Sequence, residues 1–120
     1  MSERSWHDVA AEVEVREGAP VIARIGGREI GVMRDPRTGG VIAVRNRCPH
    51  SGARLCLGSV ETRIEGDPGG HYRLVDRTVV VCPWHGWEFD AETGVCPEDE
   101  AMRVAVYPVR VESGRVLVQA

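Results

Sequence analysis

Two short stretches carry the residue types that do chemistry: Cys48-Pro49-His50 and Cys82-Pro83-Trp84-His85-Gly86-Trp87, each offering one thiol and one imidazole. Thiolates and neutral imidazoles are both metal ligands, so the question is which metal takes them in this pattern. A zinc site of finger type draws its cysteines from one knuckle and its histidines from another, at C-x₂₋₄-C and H-x₃₋₅-H spacing. Here each stretch mixes the two donors. That mixture suits a two-iron centre in which one iron takes both cysteines and the other both histidines, each loop reaching across both metals. A structural zinc module is the lesser reading.

The pattern C-x-H followed downstream by C-x-x-H, written here as CPHSGARL and CPWHGWEFD, resembles the two cluster-binding loops of Rieske [2Fe–2S] proteins, in particular the soluble ferredoxins and oxygenase domains. The resemblance includes Gly52 and Ala53 after the first loop and the run 84–90 in the second, and with the flanking strand pattern it covers most of the chain. It implies a Rieske-type antiparallel β-sandwich with a cluster-binding subdomain, and one [2Fe–2S] cluster held by Cys48, His50, Cys82 and His85. The function it implies is a one-electron carrier, passing electrons from a flavin-dependent NAD(P)H reductase to a terminal oxygenase. A permanent small subunit of a larger oxidoreductase, such as a nitrite reductase, is the alternative.

Replacing two thiolates by neutral imidazoles removes negative charge from the cluster and raises its potential, and hydrogen bonds to the sulfurs raise it further. In high-potential members of the family the second loop carries a disulfide cysteine before the histidine, then a serine and a tyrosine whose hydroxyls donate towards sulfur. This chain has Trp84, Trp87 and Phe89 at the matching places, none of which supplies a hydroxyl. The resemblance therefore implies a potential at the low end of the Rieske range, nearer about −150 mV than about +300 mV. Ligand imidazoles with one exposed nitrogen also imply a potential that falls at alkaline pH.

The elements that must position these loops read as short strands. Residues 21–25 and 28–33 form a hairpin across Gly26-Gly27, turn formers occupy 35–40, and 41–44 runs as a strand into Asn46 and the first loop. The interval between residues 50 and 82 is longer than expected of the small ferredoxins. Its extra length falls in 60–79, as strand-like 62–64 and 72–75 around a tip at 65–70, where loop length is tolerated cheaply. Asp76-Arg77 reads as a turn into the β-branched run 78–81, which delivers Cys82 from a strand end. A tight turn at 90–94 follows the second loop. Residues 104–111 and 115–118 close the chain as a hairpin across Ser113-Gly114, with Pro108 at an edge or bulge. Residues 5–12 are either a helical turn or extended, with Trp6 as a packing anchor. The fold class is all-β, a single domain over 1–120 with its cluster-binding part at about 46–96.

Around the ligands, Pro49 and Pro83 restrict the loop backbone, while Gly52 and Gly86 allow its close approach to the cluster. Trp84 and Trp87 either shield the cluster or simply pack. Arg45, Arg47 and Arg54 flank the first loop and Glu98, Asp99 and Glu100 follow the second, which reads as a solvated face ahead of the alternative, a charged docking rim. Cys56 and Cys96 read as buried packing residues, and His7 and His71 as solvated histidines rather than ligands.

With 120 residues, 42% hydrophobic content and a net charge of −3, the chain has the size and composition of one folded domain. The mild acidity excludes a nucleic-acid binder, which needs a basic face. No run approaches the roughly 18 apolar residues of a membrane helix, and the opening segment is charged where a signal peptide is apolar. The expectation is a cytoplasmic protein without a membrane partner, its cysteines used for metal rather than disulfides. With no histidine beyond His85 for a two-His, one-carboxylate iron site, it does not read as a complete oxygenase.

Overall fold

The structure is a computed structural model that describes residues 5–49, 51–66, 69–84 and 86–120. Four strands precede the first loop: β1 (Trp6–Ala11), β2 (Val21–Ile25), β3 (Arg28–Arg34) and β4 (Val41–Arg45). Two long ones, β5 (Ser59–Gly66) and β6 (Tyr72–Val81), separate the loops. Six short ones follow: β7 (Glu88–Asp90), β8 (Val95–Cys96), β9 (Asp99–Arg103), β10 (Val106–Tyr107), β11 (Val109–Glu112) and β12 (Arg115–Gln119). The only helical pieces among the described residues are 3₁₀ turns at Glu12–Glu14 and Leu55–Leu57. No helix among them is long and apolar enough to cross a membrane.

The strands form antiparallel sheets in the orders β1-β12-β11, β10-β4-β3-β2, β5-β6-β7 and β8-β9. β3 and β4 lie between two cores. Side chains alternate across a strand, so Ile30, Val32 and Ala43 face a core shared with Val15, Tyr107, Val116 and Val118. Met33 and Val44 face the opposite core, which holds Cys48, Leu55, Val80, Cys82 and Phe89. Burial on both faces is why β3 shows no polar alternation after Glu29. The first core closes the sandwich, and the second ties the loop-bearing half to it. A polar tie joins the same halves: the buried Thr78 hydroxyl donates to Asp35 (2.8 Å) and accepts from Arg37 Nε (3.0 Å).

The β2–β3 hairpin is as the sequence predicts, with Ile25 opposite Arg28 and both intervening glycines at positive φ (58° and 78°), as a type I′ turn requires. The long interval between the loops is an extended β5–β6 hairpin, again as expected.

Of the two forms open to residues 5–12 the extended one is found: they are mostly strand, with Trp6 lying under the Arg110 guanidinium at 4.3 Å. Two readings need correction. Asp76-Arg77 does not turn the chain: β6 runs through it, and the register shift between Thr62 and Ile64 sets one residue of β5 against residues 75–77 of β6. This is a bulge, which takes up turn-forming residues without breaking the strand. Residues 104–111 are not one arm of a hairpin. At Pro108 the chain changes sheet, β10 pairing with β4 and β11 with β12, at a residue that has no N–H to contribute to either ladder.

Candidate metal centre

The first loop leaves β4 through Asn46, which is 4% exposed. Its backbone N–H donates to the Glu29 carbonyl (2.9 Å), its side-chain amide donates to Glu29 Oε1 (2.9 Å), and its Oδ1 accepts the Cys56 N–H (2.7 Å). One side chain thus clamps the strand before the loop to the segment after it. The second loop leaves β6 at Val81 and returns as β7, and these two strands pair directly, Val81 opposite Glu88.

Between those anchors the loops share one backbone design. The Cys48 N–H donates to the Ala53 carbonyl (2.7 Å) and the Gly52 N–H to the Cys48 carbonyl (2.8 Å). In the second loop the Cys82 N–H donates to Trp87 (2.8 Å) and the Gly86 N–H to Cys82 (3.2 Å). The closing glycines sit at φ 75° and 70°, the left-handed region that a side chain enters at a cost. The repeated string C-P-x-x-G, as CPHSG and CPWHG, is the sequence signal for this equivalence.

Cys48 and Cys82 are 0% and 1% exposed and belong to the same core. Ser51 Oγ lies 3.5 Å from Cys82 Sγ and accepts the Ala53 N–H (3.3 Å), so a first-loop hydroxyl reaches the second-loop sulfur. A ligating thiolate has no proton, so in that state the serine is the donor. Sequence reasoning looked for such a hydroxyl in the second loop and missed it in the first. It also missed Asn46, whose partners are 17 and 10 residues away. His50 and His85, the expected imidazole ligands, lie outside the described residues.

The other cysteines are set apart. All four stand as thiols rather than disulfides. Burial, with Glu29 adding to it, pushes the Cys56 thiol up to about 11, so at neutral pH it holds the proton that a ligand must lose. Burial likewise raises Cys96, whose Sγ donates to Glu98 Oε2 at 3.4 Å. Both fill the core, as expected. His71 is exposed beside the β5–β6 tip and His7 lies in β1 opposite Val118. Trp84 is 67% exposed, whereas Trp87 is partly buried and packs against the core.

The described donors fit the iron–sulfur group: two buried thiols in one core, on loops of matched backbone, suit the two-cysteine iron of a mixed-ligand cluster. Comparison with known proteins agrees. Residues 5–108 match the Rieske [2Fe–2S] domain family. The chain is 37% identical over 111 residues to the oxygenase subunit of 3-chlorobenzoate-3,4-dioxygenase from Comamonas testosteroni, covering 84% of this chain and 22% of that protein. It is 27% identical over 117 residues to the ferredoxin component of the naphthalene 1,2-dioxygenase/salicylate 5-hydroxylase systems of a Ralstonia species, covering 97% and 96% respectively. It thus spans nearly all of a ferredoxin but less than a third of several larger curated relatives. Among solved structures it superposes with TM-score 0.78 and 30% identity on a Mycobacterium tuberculosis protein described as an NADH-dependent nitrite reductase small subunit, covering 99% of this chain and 97% of that one. The chain belongs to the Rieske [2Fe–2S] domain family, whose members bind a [2Fe–2S] cluster and carry electrons.

Proposed function

We propose that residues 1–120 form a single Rieske domain, its cluster-binding part at about 46–96, in which Cys48 and Cys82 hold one iron and His50 and His85 the other. The bound cluster supplies one-electron redox chemistry. The protein's own contribution is to bury the thiols, fix both loops by the paired cysteine and glycine hydrogen bonds, and direct the Ser51 hydroxyl at one sulfur. The observation that carries this reading is the matched pair of loops, each delivering a buried thiol into one core.

In this reading the chain passes electrons from a flavin-dependent NAD(P)H reductase to a terminal oxygenase and is not itself the catalyst. The near-complete coverage of the Ralstonia ferredoxin component supports it. The second reading, a permanent small subunit of a nitrite reductase, is favoured by the likeness to the M. tuberculosis protein over nearly the full length of both chains. Stoichiometric co-purification with a large catalytic chain is expected of the subunit, and separation from all partners of the carrier. The four thiols suit a reducing compartment such as the cytoplasm.

The decisive measurement for the cofactor is EPR of the reduced protein, expected to give the low-average-g signal of mixed-ligand iron; a colourless protein containing zinc ends the proposal. The second loop lacks hydroxyl donors, so the potential belongs at the low end of the range, nearer about −150 mV than about +300 mV, with the one Ser51 donor from the first loop offsetting that only in part. A voltammetric value well above zero overturns that assignment.

A further inference from the structure

We propose that the arginine face beside the first loop is a docking surface for an acidic redox protein. All fifteen basic residues of the chain are arginines. Nine of them pair with carboxylates. Arg16 donates to a carbonyl, Arg28 lies over the Tyr107 ring, and Arg4 is outside the described residues. Three remain, Arg45, Arg47 and Arg103, and among the described residues the guanidinium of none of these has a carboxylate, carbonyl or ring partner. All three are exposed, and all three line one cleft of about 500 Å³, with Pro49, Val104 and Ala105 completing its wall.

The cleft continues into a wider basic face. Arg45 and Arg47 also line a neighbouring concavity with Arg24 and Arg54, and those two arginines share a single carboxylate, Glu29, at 3.2 and 3.5 Å. Five guanidiniums around one carboxylate stand in a chain whose net charge is −3. The opposite sign gathers after the second loop. Glu98, Asp99 and Glu100 are exposed there, and Glu88 is held above the usual carboxylate range by burial and by Glu98 and Glu61, against the opposing pull of Arg63.

Like charges held together without counter-ions repel one another, and the repulsion is relieved when carboxylates arrive. A guanidinium meets a carboxylate through paired N–H donors, so unpartnered arginines favour acidic side chains. The basic face takes residues from β2, β4, the first loop and β9, a spread that matches a protein surface better than one small anion. Pro49 forms part of the cleft wall and immediately precedes His50, so a partner seated there would adjoin the proposed imidazole ligand. The inference rests on the carrier reading above and adds the charge of the partner and the side from which it approaches.

The test is the sign of a salt effect. The holo-protein is reduced with dithionite and mixed in a stopped-flow instrument with ferricyanide, a trianion that takes one electron to become ferrocyanide, or with the trication hexaamminecobalt(III). A net charge of −3 alone predicts repulsion of ferricyanide and a rate that rises with ionic strength. The arginine face predicts attraction at the exit point and a rate that falls. In the triple variant R45Q/R47Q/R103Q the ferricyanide rate at low salt is expected to drop about tenfold or more, with the cobalt rate unchanged or faster. A ferricyanide rate that rises with salt in the parent, or is unmoved by the triple variant, overturns the proposal. So does saturable submillimolar binding of inorganic phosphate at fixed ionic strength, which would assign the cleft to a small anion. Both proteins must first show the reduced EPR signal, so failure of the cluster reading is seen before, and separately from, failure of the docking surface.

Discussion

The two ligand loops have the same backbone and different attachments. Each runs cysteine, proline, two variable residues, glycine, and each closes with the same two hydrogen bonds between equivalent positions. Yet the histidine stands third in the first loop and fourth in the second, so Ser51 holds the place that His85 holds opposite. The frame fixes where the sulfurs sit, and the offset of the imidazole within the frame makes the two halves of the site inequivalent. The supports differ too. A buried neutral amide, Asn46, clamps the first loop, whereas the second rests on paired strands with an Arg77–Asp90 ion pair at their far end.

The sharpest way to break this comparison is to make the loops alike. In the double variant His50→Ser/Ser51→His the donor inventory and the glycine-closed frame are kept, but both imidazoles stand fourth. Complete loss of the reduced-state EPR signal is expected, with far-UV circular dichroism unchanged. A variant that still gives the parent's signal would mean that the offset does not set the geometry. The next effect tests whether the frames really match. Neither glycine has crowding to explain it: a Cβ at Gly86 meets nothing within 4 Å, and at Gly52 only an Arg47 nitrogen at 4.0 Å. Gly52→Ala and Gly86→Ala should therefore each cost only the left-handed backbone strain, about 1–2 kcal/mol. Each should lower Tm by several degrees, at about 4–8 °C per kcal/mol for a small domain. Clearly unequal losses would show that the two hydrogen-bonded closures are not equivalent.

What the sequence made legible was whatever is encoded locally. The Gly26-Gly27 hairpin was readable because two adjacent positive-φ residues between β-rich runs admit few turns, and the all-β architecture followed from many such intervals. The thiol positions were readable because the motif is contiguous. Interactions between distant residues were not. Asn46 before a cysteine is chemically ordinary until Glu29 and the Cys56 N–H are folded against it. The Ser51 contact spans 31 residues. Asp76-Arg77 has turn-forming chemistry, and only the pairing of β5 with β6 converts it to a bulge. Pro108 announced a break in a ladder but not that two different sheets meet there.

Ser51 gives the next smaller effect, and it acts on one half of the site only. Hydrogen bonds to ligand sulfur stabilise the reduced, more negative cluster, so Ser51→Ala should lower the potential. The expected change in the equilibrium constant for reduction is severalfold but less than tenfold, hence below about 59 mV for one electron. Ser51→Thr retains the hydroxyl and should retain the potential. Matched potentials for alanine and parent would leave the 3.5 Å contact without an electronic role.

The smallest effect distinguishes the two supports by pH. Burial alone would raise the Asp90 carboxyl, but donation from Arg77, from the Glu92 and Thr93 N–H groups, and the Arg77 charge outweigh it and hold Asp90 below its ordinary value. A carboxyl depressed in the folded state contributes stability that is fully present above its unfolded value, about 3.9, and is lost as pH falls through the folded value. Protonation of Asp90 should therefore loosen the β6–β7 support of the second loop in acid. Arg77 is itself 37% exposed, so solvent screening holds the contribution to about 1 kcal/mol or less. Asp90→Asn should destabilise the protein slightly at pH 7, where the charged pair is lost. The difference from the parent in urea midpoint should narrow as pH falls through the folded value of Asp90, below which both side chains are neutral. A difference that stays constant from neutral pH to acid would show that Asp90 serves through its Glu92 and Thr93 hydrogen bonds alone, and that the charge at this support carries no stability.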